Sequence, residues 1–227
     1  DLGAALARLG RADEAVAALR HAATLQPELP GAWLALADAL RATGDATGAG
    51  AACLPHVRHS AKDPRLLAIG KALFENRLPE AEERLRTHLG HAPNDIAAIR
   101  MLAEVDARLG RDDDALALLA RCLDLAPGFH AARKNLAQVL NRGNRQPEAL
   151  AEVEALIAAD PADPGVRNLK AVILGRIGDY AQAIDIYEDL LGAHPRHPQL
   201  WMSYGHALKT AGSQDRAIAA YRRAIAI

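Results

Sequence analysis

One alanine returns along the whole chain at a near-fixed interval: Ala15, Ala49, Ala81, Ala115, Ala149, Ala183 and Ala217, spaced 34, 32, 34, 34, 34 and 34 residues apart. Three further columns keep step with it. Five residues before each alanine stands a turn residue: Gly10, Gly44, Asn76, Gly110, Asn144, Gly178 and Gly212. Four residues after it stands a larger, mostly apolar residue: Leu19, Cys53, Leu85, Leu119, Val153, Tyr187 and Tyr221. Twelve residues after five of the alanines stands a proline: Pro27, Pro93, Pro127, Pro161 and Pro195. A period of this length requires each unit to be one supersecondary element stacked on its copies.

Apolar residues between the prolines run at helical spacing, as in Leu116, Leu119 and Leu123. The Gly/Asn column splits each unit into two helices, because these residues take the left-handed conformation after a helix end. Asp45 and Asp179 follow it and can cap the next helix. Proline closes the unit. The anchor alanines, with small neighbours such as Ala137 and Gly205, mark the closest helix approach. The expected fold is all-α, a single array of hairpins over 1–227. Its units are about 1–29 (clipped), 30–63, 64–95 (short and irregular), 96–129, 130–163, 164–197 and 198–227 (truncated). Residues 54–76 are the weak patch, with Ala61 in place of a proline and a distorted junction expected from Pro55 to Pro64.

These columns resemble the tetratricopeptide repeat, a helix–turn–helix unit of the form W-x2-L-G-x2-Y…A-x3-F…P. Trp33, Leu36, Ala37 and Leu40 with Ala49 and Cys53 fit it, as do Trp201, Tyr204, Gly205 and Leu208 with Ala217 and Tyr221. The resemblance covers nearly the whole chain and implies a right-handed superhelical solenoid whose first helices line a peptide-binding concave face. Family groove positions lie 18, 15, 11, 8 and 7 residues before the anchor alanine, and map onto Arg100, Glu104 and Arg108; Lys134, Gln138, Asn141 and Arg142; Asn168 and Arg176; and Gln199, Met202, His206 and Lys209. Earlier units add Asp38, Arg41 and Arg8. Cations outnumber carboxylates along this stripe, which favours an acidic peptide. The alternative is that the same cations only solvate an exposed face. Family members that clamp an acidic chaperone tail need Lys/Asn, Asn and Lys/Arg on successive first helices; Lys134 and Gln138 mimic the first pair, but Leu169, Gln199 and Ser203 break the rest.

The stretch Leu200–Gly212 followed by Arg216–Ala226 is similar to the last repeats before the catalytic domain of bacterial tetratricopeptide-containing sulfotransferases. That resemblance implies a role in recruiting substrate or regulating a catalytic domain after Ile227. The phosphate-binding loop of those enzymes does not occur in these residues. A third reading is a self-associating scaffold. The apolar residues Ile218, Tyr221, Ile225 and Ile227 of the last helix expect a neighbour.

Other chemistry is weakly signalled. GDATGAG at 44–50 lacks the Lys-Ser/Thr end of a phosphate loop. His56/His59, His88/His91 and His194/His197 are spaced as metal pairs, yet lack a further ligand at a suitable interval, and are read as satisfying helix-end carbonyls. Asp112, Asp113 and Asp114 complement a helix start. Cys53 and Cys122 sit on core columns, and Tyr180, Tyr187, Tyr204 and Tyr221 at packing intervals. No catalytic residue, metal site or cofactor is expected in this chain. With Lys+Arg 27 against Asp+Glu 28 and 4% aromatics, nucleic acid is not an expected partner. No apolar run is long enough to span a membrane. The expected partner is a protein or peptide, or the chain's own C-terminal domain, in a cytoplasmic setting.

Overall fold

The computed structural model describes residues 2–60 and 62–227, so Ala61 lies outside the described residues. Among them the chain forms fourteen α-helices and no strand. They pair as α1 (Leu2–Arg8) with α2 (Ala12–Leu25), α3 (Pro30–Ala42) with α4 (Ala46–Ser60), α5 (Pro64–Phe74) with α6 (Leu78–His91), and α7 (Ile96–Arg108) with α8 (Asp112–Leu125). Then follow α9 (His130–Arg142), α10 (Gln146–Ala159), α11 (Pro164–Ile177), α12 (Tyr180–Ala193), α13 (Pro198–Thr210) and α14 (Gln214–Ile225). Two compact units result, Asp1–Ala132 and Arg133–Ile227.

Each hairpin turn has the same cause. The residues with positive φ are Gly10, Gly44, Asn76, Gly110, Asn144, Gly178 and Gly212, with φ from 58° to 98°. These are the seven members of the turn column. A left-handed residue ends a helix by turning its next N–H back onto the last carbonyls, and only Gly, or Asn among ordinary side chains, takes it cheaply. Asp45 and Asp179 then cap the following helices, accepting from the amides of Gly48 (2.8 Å) and Gln182 (3.1 Å). Asp63, Asp95 and Asp163 cap α5, α7 and α11 in the same way. The Trp column has a distinct role: the Trp33 indole donates to the Pro27 carbonyl (2.9 Å) and Trp201 to that of Pro195 (2.8 Å). Each indole thereby ties a first helix to the end of the preceding hairpin.

All seven anchor alanines are buried. Sixteen residues before the large column lies a small one, with Ala37, Ala103, Ala137, Ala171 and Gly205 facing Cys53, Leu119, Val153, Tyr187 and Tyr221. Gly205 shows how tight this contact is, since a Cβ there would stand 2.5 Å from the Tyr221 ring. Ile69 breaks the column opposite Leu85, and both are fully buried. A branched side chain at this point keeps two helices from closing, and α5–α6 is indeed packed more loosely than α3–α4 or α7–α8.

In the first unit the core runs through α5, α6 and α7, with Leu66, Ile69, Leu73, Leu85, Leu102 and Val105 at its centre. Helix α4 also touches α7 and α8; a Cβ on Gly50 would stand 3.4 Å from Pro127. In the second unit the core of α11–α14 is built on Leu174, Tyr187, Leu190, Leu200, Tyr204 and Leu208. Tyr187 and Tyr204 are core residues as expected, whereas Tyr180 and Tyr221 are only half-buried. Ile218 and Ile225 on α14 are exposed.

Candidate functional site

The first chemistry the fold assembles is a buried polar joint in the first unit. His56 on α4 places Nε2 2.9 Å from Asp95 Oδ1 and Nδ1 3.0 Å from the Pro30 carbonyl. His88 on α6 donates Nε2–H to the other carboxylate oxygen at 2.8 Å. The amides of Ala97 and Ala98 complete the shell of Asp95, which caps α7. Ser60 covers the imidazole and donates to the His56 carbonyl (2.7 Å).

Both ring nitrogens of His56 face acceptors, so only the imidazolium satisfies both. Burial opposes that charge, but the hydrogen bond and charge of Asp95 win, and the His56 pKa is raised. Burial likewise opposes the Asp95 carboxylate, yet hydrogen bonds from His56 and His88 hold its pKa well below the usual carboxylate range. The joint corrects two expectations. His56 and His88 do not serve the last carbonyls of their own helices; they tie α4 and α6 to α7. The Pro55–Pro64 stretch is also more than a weak junction, because α4 continues through Pro55 and buries His56 and Ser60. Of the other histidines, His197 caps α13, its Nδ1 accepting from the Leu200 amide at 3.4 Å.

Reactive chemistry finds no support in the cysteines. Cys53 and Cys122 are fully buried, and burial raises both thiols, Cys122 to about 12. Thiols held protonated in this way are inert packing groups. Among the described residues no group of three or more His, Cys, Asp or Glu side chains is arranged to hold a metal ion.

The sequence-derived groove residues fall into two sets with different electrostatics. In the first unit, Glu104 sits between Arg108 (2.5 Å) and Arg100 (3.7 Å) on α7. Arg108 also donates to the Leu73 carbonyl at the end of α5 (2.8 Å), and Arg41 pairs with Asp38 (2.6 Å). These cations are largely matched by carboxylates. In the second unit, Arg176 repeats the backbone role of Arg108 at the same register position. It donates to the Asn141 carbonyl, and to the Asn144 side chain at 2.6 Å. Among the described residues, Lys134, Arg176 and Lys209 have no carboxylate partner.

Asn168, Gln199, Leu200 and Ser203 line a cleft of about 480 Å³ between α11 and α13. Ser203 also borders a neighbouring cleft of about 290 Å³, lined by Val172, Gly175, Tyr180, Tyr187 and His206. Met202 and Lys209 line neither and are exposed, as are Gln138 and Arg142. Asn141 is buried, Asn168 half-buried, and neither side-chain oxygen has a hydrogen-bond partner among the described residues. His206 stacks edge-to-face on Tyr221 with ring centres 5.6 Å apart.

Comparison with known families fits this architecture. The model described as tetratricopeptide repeat matches residues 1–64 and 168–227, and a second of the same description matches 109–173. The chain belongs to the tetratricopeptide repeat family. Its hairpins are therefore units of a protein-interaction scaffold. A search of curated proteins returned no match. Among solved structures, the chain is similar to a tetratricopeptide repeat protein from Parabacteroides merdae, at 16% identity and TM-score 0.66 over 87% of this chain and 79% of the other. It is also similar to MamA from Desulfovibrio magneticus, at 19% identity and TM-score 0.62 over 71% and 91%. At these identities the likeness is one of fold. No helix is long and apolar enough to cross a membrane among the described residues.

Several tetratricopeptide positions escaped the charge-led reading of the stripe. Ser203, Val172 and Gly175 line the clefts of the second unit without carrying charge. In the third hairpin, the offsets used elsewhere fall on Asp63, Leu66, Gly70, Leu73 and Phe74, none of which is a cation. Extending the offsets to Ala81 would have found them.

Proposed function

We propose that this tetratricopeptide array binds an extended, acidic peptide or a partner domain along its first helices and carries out no catalysis itself. The observation that carries this reading is the set of cations in the second unit, Lys134, Arg176 and Lys209, with no carboxylate to neutralise them among the described residues. The α11–α13 cleft, which Lys134 approaches at Gly165, offers amide and hydroxyl groups from Asn168, Gln199 and Ser203 for a peptide backbone. Exposed cations give a salt-dependent attraction that orients a charged partner before short-range contacts form. The test is titration of fluorescein-labelled acidic and basic dodecapeptides. The acidic peptide should bind, should weaken with added salt, and should lose about tenfold in affinity to a Lys134→Glu/Lys209→Glu variant of unchanged helicity. Preference for the basic peptide would overturn the reading.

A second reading is supported by the similarity of Leu200–Gly212 and Arg216–Ala226 to repeats that precede a sulfotransferase domain. In it the array recruits substrate for a catalytic domain encoded beyond Ile227. The gene sequence after that codon decides it.

A further inference from the structure

The third hairpin holds a feature that an anion-binding stripe does not explain. Phe74, at the end of α5, is 90% exposed, and Leu67, two turns earlier, is 55% exposed. Phe74 occupies the register position that Arg108 and Arg176 hold in their own hairpins, seven residues before the anchor alanine. Gly70 lies between Leu67 and Phe74 on the same helix. Together these residues open a pocket of about 510 Å³ between α5 and α7, floored by Leu66 and Met101 and closed on the α4 side by Val57 and Ser60. Gly70 gives the pocket its depth: a Cβ there would meet only the Met101 methyl, at 3.9 Å. The charged groups lining it are Lys71 and Arg100, with no carboxylate among the lining residues. Their nearest acidic partners are loose, Glu75 at 3.9 Å and Glu104 at 3.7 Å, and Glu104 is held more closely by Arg108.

We propose that this pocket is an anchor site for one bulky apolar side chain, Leu or Phe, of a peptide that carries carboxylates beside that residue. The proposal rests on the peptide-binding reading above and adds to it what the peptide must contain. An exposed aromatic beside an apolar hollow left open by a glycine is matched by a side chain that fills the hollow and stacks on the ring. Lys71 and Arg100 stand on α5 and α7, two of the helices that line the pocket, so acidic residues flanking the apolar one meet a cation on each side. Phe74 contributes nothing to the core in its exposed position, and Gly70 lies inside a helix, where glycine is otherwise unfavourable.

The experiment uses the full chain and three labelled dodecapeptides of Asp, Glu, Gly and Ser: one with a central Leu, one with a central Phe, and one with a central Ser. The Leu and Phe peptides should bind about tenfold more tightly than the Ser peptide, the value of burying most of one such side chain. Gly70→Leu, which fills the pocket from within, and Phe74→Ser, which removes its exposed wall, should each bring the three affinities together while leaving that for the Ser peptide unchanged. Equal affinity of all three peptides for the wild type would overturn the pocket and leave the acidic-peptide reading standing. No binding of any of them would overturn both. A fourth peptide, with Lys in place of the acidic residues around the central Leu, that bound as well as the acidic Leu peptide would overturn the assigned flanking chemistry. Sedimentation supplies the remaining check: self-association abolished by Phe74→Ser would make a second copy of this chain the occupant and overturn the peptide assignment.

Discussion

The α5–α6 and α13–α14 hairpins resolve the same packing position in opposite ways. In α13–α14 the first helix carries Gly205 and the second an aromatic, Tyr221, whose ring comes within 2.5 Å of where a Cβ would be. In α5–α6 the first helix carries Ile69 against Leu85. Where one residue vanishes, the helices close and the large partner fills the contact. Where both are large, the helices stay apart and clefts open on the hairpin. The one between α5 and α6 has about 920 Å³ and is lined by Ile69 itself with Arg65, Glu80, Arg84 and His91, while the apolar pocket at Phe74 lies on the other side of α5, towards α7. A looser hairpin needs another source of order, and the first unit supplies it with the His56–Asp95–His88 joint. Repeats of one family thus share a turn and an anchor while differing in what holds neighbours together.

The strongest test of that comparison is removal of the joint. Asp95→Asn leaves the His56 imidazolium buried without its counter-charge and weakens the α7 cap. It should destabilise the chain by about 3–5 kcal/mol, read as the free energy of chemical denaturation. A cost below 1 kcal/mol would mean that α5–α6 is held by its apolar core alone. Next in size is Ile69→Ala, which restores the small column at the third hairpin but leaves a cavity beside Leu85. The expected cost is about 2–4 kcal/mol. A neutral or stabilised variant would show that α5 and α6 can close like the other hairpins, and that Ile69 merely props them open. Gly205→Ala should cost about 1 kcal/mol, since the clash with Tyr221 outweighs the better helix propensity of alanine. Adding Tyr221→Leu should recover it, and a thermal-melt cycle of the two single variants and the double reads that coupling.

The smallest effect is in pH. The folded pKa of Asp95 is lowered, so its contribution is present above the ordinary carboxylate value and is lost as pH falls through the folded one. The folded pKa of His56 is raised, so its contribution is complete below the ordinary value of about 6.5 and is lost as pH rises through the folded one. The joint therefore favours mildly acidic conditions. Melting temperature should decline gently from pH 6 towards 9, and His56→Gln should flatten that decline; an unchanged slope would place the titration elsewhere.

Much of the fold was legible because its causes are local. A left-handed turn residue, a buried alanine and a large partner four residues later report themselves in any single hairpin, and repetition multiplies the signal. The candidate site was legible only in part. The partners of Asp95 lie 39 and 7 residues away on two other helices, and no residue type in that set is unusual by itself. Arg108 and Arg176 read as free groove cations, yet each donates to a carbonyl 35 residues earlier. Such bonds depend on how far one hairpin is displaced on the next, which a column of residue types does not encode. The apolar face at Phe74 was missed for a different reason, since charge was the feature sought along that stripe.

Those two arginine bonds bear on selectivity. A long cationic side chain loses about 2 kcal/mol of rotamer entropy when a ligand immobilises it. Arg176, already fastened to the Asn141 carbonyl and the Asn144 side-chain oxygen, has given up most of that freedom before any partner arrives, whereas the exposed Lys209 has not. The remaining guanidinium N–H groups point in a set direction, so a carboxylate must come to them in a fork-like approach. On the acidic-peptide proposal, a cation tethered in this way favours a carboxylate presented in that one geometry, and gives little advantage to a polyanion that is merely dense in charge.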